Sequence, residues 1–303
     1  MKKPLLIVIT GPTASGKSVL AVEVARRLST EVISADSRQI YQGIPIVTAT
    51  PTMEERGGIE HHLISMLPLD SYYSASEFEQ DALRISRRLF DSNGVSVVCG
   101  GSMMYVDALC NGIDDLPTVP VEIRRNLMEE WKEKGDEWLR SKLENLDPIH
   151  YAKVDLKNLK RVFHAVELSI TAGVPYSTLI TGEKKERPFR ILKICLDGER
   201  EKLFQRINLR VEKMMDMGLE EEARRVFPLR HLNSLNTVGL KEMFAWFDGS
   251  FTKEEAIARI QKNTRVYAKK QLTWYKKDPD IIRLDFTNDV GSNSDLILNM
   301  SEL

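Results

Sequence analysis

Gly11, Gly16, Lys17 and Ser18 fill every fixed position of the spacing G-x-x-x-x-G-K-[ST] in the stretch "GPTASGKS". Glycines let backbone N–H groups converge on phosphate oxygens, the following helix adds its positive end, the lysine supplies a point charge, and the serine hydroxyl can hold Mg²⁺. Gly11, Pro12, Thr13, Ala14, Ser15, Gly16, Lys17 and Ser18 are therefore expected to cradle phosphate groups, with Ser18 as the metal-holding residue. Most chains with this loop bind a nucleotide such as ATP and add a Walker-B aspartate at the end of an apolar strand. Here the strand in the expected place, "VSVVCGGSMMY", runs into glycines and a serine, and no N-K-x-D motif occurs. The residues for phosphoryl transfer are incomplete.

A carboxylate does stand at the end of another apolar segment. "VISADSRQIY" places Asp36 after a short strand next to the phosphate loop in sequence, where open α/β sheets present their ligands. It can take a proton from a nucleophile, orient a substrate hydroxyl as in small-molecule kinases, or simply cap a turn. Asp36 alone leaves these open.

The elements that must carry these residues follow from patterning. Leu5 to Thr10 is a continuous apolar run, as expected for a strand covered on both faces of a parallel sheet. Leu20, Val24 and Leu28 recur with helical spacing, "EVISA" and "VSVVCGG" read as further strands, and Ser74 and Glu77 stand in capping-box spacing before Phe78, Ala82, Ile85 and Leu89. This alternation predicts an α/β fold, a doubly wound parallel sheet of the P-loop NTPase type. The pattern breaks at "LPTVP", gives way to charged helical sequence, and resumes strand character at "FRILKICLD". The expected organisation is a core of residues 1–117 and 188–303 interrupted by an all-helical insertion, residues 118–187. Two long helices close the chain, Glu199 to Phe227 and Lys253 to Tyr275, and the last residues from "NDVGSNSDLILN" are expected to be loosely held.

Composition narrows the partners. The 303 residues carry a formal net charge of −1, so nucleic acid can be bound only through a local basic surface. Such a surface is available: Arg259 to Lys277 contains seven Lys or Arg and no acid, interleaved with Tyr267, Trp274 and Tyr275. Cys99, Cys110 and Cys195 form no C-x-x-C pair and are expected as buried thiols. His61 and His62 are adjacent, not at metal-ligand spacing, and are expected in structural or hydrogen-bonding roles. No segment approaches the length of a membrane span. The expectation is a cytoplasmic monomer.

Taken in order, "GPTASGKS", "ADSRQIYQG", "HHLI", "GGSMMY", "RVEKMMDMGLEEE", "NTVGLKEM" and "TRVYAKKQLTWYKK" resemble the tRNA dimethylallyltransferases, also called tRNA isopentenyltransferases, over Gly11 to Lys277. The resemblance implies transfer of a dimethylallyl group from dimethylallyl diphosphate to N6 of the adenosine immediately 3′ of the anticodon, with the anticodon stem-loop of tRNA as partner. The phosphate loop would then hold a leaving diphosphate with Mg²⁺, and the missing Walker-B acid would be explained. It implies that Asp36 is the general base, with Ser37, Arg38 and Gln39 holding the adenine. Arg206 and Arg210 lie on one helix face, the family motif favouring Arg210 as the diphosphate contact, and Thr13 would stand near the reacting carbon.

Gly100 and Gly101 would admit a nucleotide backbone, and Gly101 and Ser102 would touch tRNA, Ser102 standing where threonine is frequent. Lys269, Lys270, Gln271, Thr273 and Trp274 would contact tRNA. In the insertion Lys160, Arg161 and His164 would do the same, although Asn158 replaces an acid and His164 an arginine of the family pattern. A P-loop kinase acting on a small molecule or nucleotide is the main rival, and it leaves the basic aromatic helix unexplained. An RNA-binding NTPase switch lacks its Walker-B acid, and an adenylate prenyltransferase would need neither the insertion nor the segments after Leu235.

Overall fold

A computed structural model describes residues 3–114 and 116–302. The described strands are β1 (Leu5–Thr10), β2 (Val32–Ser34), β3 (His61–His62), β4 (Val95–Cys99), β5 (Arg190–Asp197) and β6 (Ile281–Asp285). They form one sheet in the order β3-β2-β4-β1-β5-β6, and every pairing is parallel. All six residues of β1 are buried, as its unbroken apolar run requires of a strand with helices on both sides. Helices Lys17–Arg27 and Ala75–Asn93 bury the faces read from their spacing, and the Ser74–Glu77 capping box is formed. Leu28 is only half-buried, because it serves as the C-cap of the first of these helices.

Contacts divide the chain into a sheet-bearing unit, residues 1–111 with 186–303, and a helical unit, residues 112–185. The helical unit has its own core, in which Leu127, Leu139, Leu143, Val162, Phe163 and Val166 are buried. Its long helix Val121–Leu146 is kinked at Gly135, whose φ of 82° breaks the helical path.

Two sequence expectations are corrected. The single helix expected over 199–227 is two, Arg200–Asp216 and Leu219–Val226, parted by Gly218 at φ 97°. The carboxyl-terminal residues are not loosely held: β6 adds an edge to the sheet, and helix Val290–Ser301 buries Asn293, Ser294 and Ile297. "HHLI" contributes the short edge strand β3, which pairs Val32 with His61.

Candidate active site

The phosphate loop links β1 to the Lys17–Arg27 helix, and Gly16 takes the left-handed conformation at its N-cap. Lys17 Nζ donates to the Pro12 carbonyl at 3.2 Å, and Arg210 Nη1 donates to Thr13 Oγ1 at 3.3 Å. Both partners are neutral oxygens. Burial is the main influence pulling both cations below their ordinary pKa range; at Lys17 nearby Cys99 and Asp36 oppose it and Arg210 adds to it, and at Arg210 Asp36 and Glu55 oppose it. Two desolvated cations facing neutral partners form a site whose electrostatic cost is relieved by an incoming anion. Arg206 is exposed, comes near Gly16, donates to the Phe286 carbonyl at 3.3 Å and lies over the Phe286 ring, whereas Arg210 is the arginine hydrogen-bonded to the loop.

Asp36 follows β2 and is half-buried. Its Oδ1 accepts from the amides of Arg38 at 2.9 Å and Gln39 at 3.3 Å. Oδ2 has no hydrogen-bond partner among the described residues, so one carboxylate oxygen fixes the orientation while the other is left for a ligand. Ser102 supports the same turn: its Oγ accepts from the Ser37 amide at 2.8 Å and donates to Ser37 Oγ at 3.2 Å.

Together these residues line one cavity of about 370 Å³, ample for a small organic ligand. Thr13, Lys17, Ser18 and Arg210 form its polar end, and Asp36, Ser37, Arg38 and Gln39 stand along one wall. The cavity also has an apolar lining of Val47, Val211, Met214, Leu219, Val238 and Ile260, which the sequence alone does not single out. The available signal was positional: Val211 and Met214 lie within one turn of Arg210 in "RVEKMM". Tyr267 also lines the cavity, and burial, with the charge of Asp36 adding to it, pushes its hydroxyl up to about 12. His61 is a further missed lining residue; its Nδ1 meets the Ile59 carbonyl at 2.9 Å, and burial lowers its pKa and favours the neutral ring.

Several expected ligand contacts have other occupations. The Arg38 guanidinium donates to the carbonyls of Asn233, Ser234 and Asn236. Gln39 Oε1 accepts from Ser34 Oγ, while its Nε2 donates to the carbonyls of Thr48 and Ala49. Gly100 and Gly101 are required by internal packing: a Cβ at Gly100 would collide with the Ala35 backbone, and one at Gly101 with Gln271 Nε2. Gln271 is 2% exposed and spans the site, its Oε1 accepting from the Thr13 amide at 3.0 Å and its Nε2 donating to the Gly101 carbonyl at 2.8 Å. Tyr275 is buried as well, so of the aromatics interleaved in the basic run it is not on the exposed face.

Lys269, Lys270, Thr273 and Trp274 remain exposed on the Lys253–Tyr275 helix. In the helical unit Asn158 caps helix Leu159–Ala172, whose Lys160 and Arg161 are exposed. His164 Nδ1 pairs at 2.9 Å with the buried carboxylate of Glu167. Cys99, Cys110 and Cys195 are free and buried, and burial pushes the Cys99 thiol, which lines the cavity beside Ser18, up to about 11. No helix among the described residues is long and apolar enough to cross a membrane.

Residues 39–278 match the family model described as IPP transferase. The chain is 49% identical to tRNA dimethylallyltransferase 2 of Parabacteroides distasonis over 276 residues, covering 91% of this chain and 92% of that one. It is also 49% identical to tRNA dimethylallyltransferase 1 of Bacteroides thetaiotaomicron, covering 92% and 90%. Among solved structures it is similar to the full-length tRNA isopentenylpyrophosphate transferase of Bacillus halodurans, with TM-score 0.73, 33% identity and coverage of 99% and 96%. A eukaryotic dimethylallyltransferase acting on tRNA gives TM-score 0.80 at 26% identity, covering 94% of this chain and 74% of that one.

Proposed function

The chain belongs to the IPP transferase family, the tRNA dimethylallyltransferases, and we propose that its cavity joins dimethylallyl diphosphate to N6 of the adenosine 3′-adjacent to the anticodon. The carrying observation is the arrangement of one cavity with a doubly cationic polar end, an apolar wall, and a carboxylate with one oxygen fixed and one unengaged. A kinase also needs the cationic end, but it leaves the exposed Lys269, Lys270 and Trp274 of the basic helix unexplained.

In this reading the diphosphate lies on the phosphate loop, Lys17 and Arg210, and the five-carbon tail enters the apolar region. The exocyclic amine of adenine is a weak nucleophile because its lone pair is delocalised into the ring. Asp36 Oδ2 accepts an N6 proton as the new bond from N6 to C1 of the tail forms and the bond from C1 to the diphosphate oxygen breaks; the bonding pair leaves with diphosphate. A positioned base of this kind contributes about 10²–10⁴-fold. Charge that builds on the departing oxygens meets loop amides, Lys17 and Arg210, already oriented by Pro12 and Thr13.

Among the described residues no three His, Cys, Asp or Glu side chains group into a metal cage. Mg²⁺ needs none, since it keeps several waters and commonly takes one or two protein ligands plus substrate phosphates. Ser18, half-buried in the first helical turn and lining the cavity with Lys17, fits as its protein ligand. When bound, the ion would supply further neutralisation of the diphosphate.

The anticodon stem-loop would lie on the basic helix through Lys269, Lys270, Thr273 and Trp274, with Lys160, Arg161 and His164 of the helical unit as additional contacts. His164, oriented by Glu167, offers a directed hydrogen bond in place of an arginine fork. The target base must leave its stack to reach Asp36, at a cost of a few kcal/mol that the backbone contacts offset. We further propose that the protein works as a monomer in the cytoplasm, where tRNA is available. Incubation with labelled dimethylallyl diphosphate, Mg²⁺ and tRNA tests the assignment through label on the anticodon-adjacent adenosine.

A further inference from the structure

Two segments that line the cavity meet at Val47 and Gly239, and each is held by one buried glutamate. On the first, Glu222 Oε2 accepts from the Ile46 amide at 2.9 Å and Oε1 from the Val47 amide at 2.8 Å. Glu222 is 1% exposed, so these amides replace the water its carboxylate has lost. Gln39 ties down the other end of the segment through the carbonyls of Thr48 and Ala49. On the second, Glu242 accepts from the Gly239 amide at 2.7 Å and from Asn263 Nδ2 at 2.7 Å. A side chain at Gly239 would collide with Val47 Cγ2, and φ there is 101°. The Val47 isopropyl group thus packs on bare backbone, and both residues line the cavity.

Helix Arg200–Asp216 gives the direction of a ligand. Arg206, Arg210 and Met214 follow at four-residue intervals, about 6 Å of helix apart. Arg206 adjoins Gly16, Arg210 holds Thr13, and Met214 belongs to the apolar wall. A tail whose diphosphate is held at Arg210 can run along this helix toward Met214, which lines the same cavity as Val47 and Gly239.

We propose that the Val47–Gly239 contact is the chain-length stop for the allylic donor, with Glu222 and Glu242 as the positioning residues that keep it closed; this rests on the donor reading given above. A five-carbon tail ends before the contact, whereas a ten-carbon tail requires the contact to open. One or two methyl groups in an apolar pocket carry about tenfold or more in discrimination, so Val47 alone sets a measurable ratio.

The test measures kcat/KM of the full chain for dimethylallyl and geranyl diphosphate with tRNA, in the native protein and in Val47→Ala. The expected result is a geranyl-to-dimethylallyl ratio raised about tenfold or more, with tRNA affinity unchanged and the variant still folded cooperatively. Glu222→Gln places an amide N–H₂ against a backbone donor and is expected to move the ratio the same way, with a higher KM for dimethylallyl diphosphate and an unchanged KM for tRNA. A native ratio in folded Val47→Ala overturns the stop while leaving the donor reading intact. No prenyl transfer by the native protein overturns both.

Discussion

The backbone amide of Thr13 in the phosphate loop donates to Gln271 Oε1 at 3.0 Å, across 258 residues of sequence. The same side chain donates to the carbonyl of Gly101, so one buried amide joins the loop, the turn after β4 and the basic helix. Gln271→Leu leaves the Thr13 N–H and the Gly101 carbonyl without their partner, at about 1–3 kcal/mol for each unsatisfied group. The expected outcome is weaker donor binding by about tenfold or more, with tRNA affinity reduced much less. Titration of inorganic diphosphate into the variant checks this; native diphosphate affinity would assign Gln271 to packing alone.

Asp36→Asn keeps an oxygen to accept from the Arg38 and Gln39 amides but cannot take a proton. Turnover is expected to fall by about 10²–10⁴-fold with tRNA Kd within about twofold of native. Single-turnover rates beside filter binding separate the two quantities, and near-native turnover would remove Asp36 as the base.

Burial holds Lys17 below the usual lysine value of 10.5. The cationic form binds the anion, and it is lost as pH rises, so diphosphate affinity of the free enzyme should decline on the alkaline side before an ordinary lysine titrates. Isothermal titration of inorganic diphosphate from neutral to alkaline pH measures this limb. Lys17→Arg should abolish the decline, because arginine stays charged throughout that range.

Lys269 and Lys270 project from the exposed face of the basic helix. Changing both to Glu is expected to weaken tRNA binding and to lower the slope of log K against log salt by about 1 for each lost phosphate contact. An unchanged slope would put the RNA on another surface.

Ile297 is fully buried on the terminal helix, against the core that includes β1 and the Lys17–Arg27 helix. Ile297→Ala should cost about 2–5 kcal/mol, read as a lower urea midpoint. A midpoint within error of native would return this helix to the loosely held state suggested by its polar sequence.

Local signals carried the phosphate loop, β1, β2, β4, β5 and the helix capped by Ser74, because spacing and apolar runs are properties of contiguous residues. The helix break at Gly218 was read through because a lone glycine is tolerated in helical patterns. β6 escaped notice because its residues, "IIRLD", form an edge strand with a polar side, and helix Val290–Ser301 because it is rich in Ser and Asn. In the site, Lys17, Asp36 and Arg210 were legible from motifs, whereas the apolar wall comes from segments 47, 211–219, 238 and 260 that only the tertiary fold assembles. Gln271 shows the same limit: the family resemblance implies a tRNA contact for it, and only the tertiary fold reveals that it also ties the phosphate loop to Gly101.

The most direct measurement is mass analysis of tRNA nucleosides after incubation of the full chain with Mg²⁺ and labelled dimethylallyl diphosphate, with released diphosphate counted alongside. The predicted result is label on N6 of the adenosine 3′-adjacent to the anticodon and one diphosphate per label. Unlabelled tRNA, together with ATP consumed in phosphorylating a small acceptor, would contradict the account.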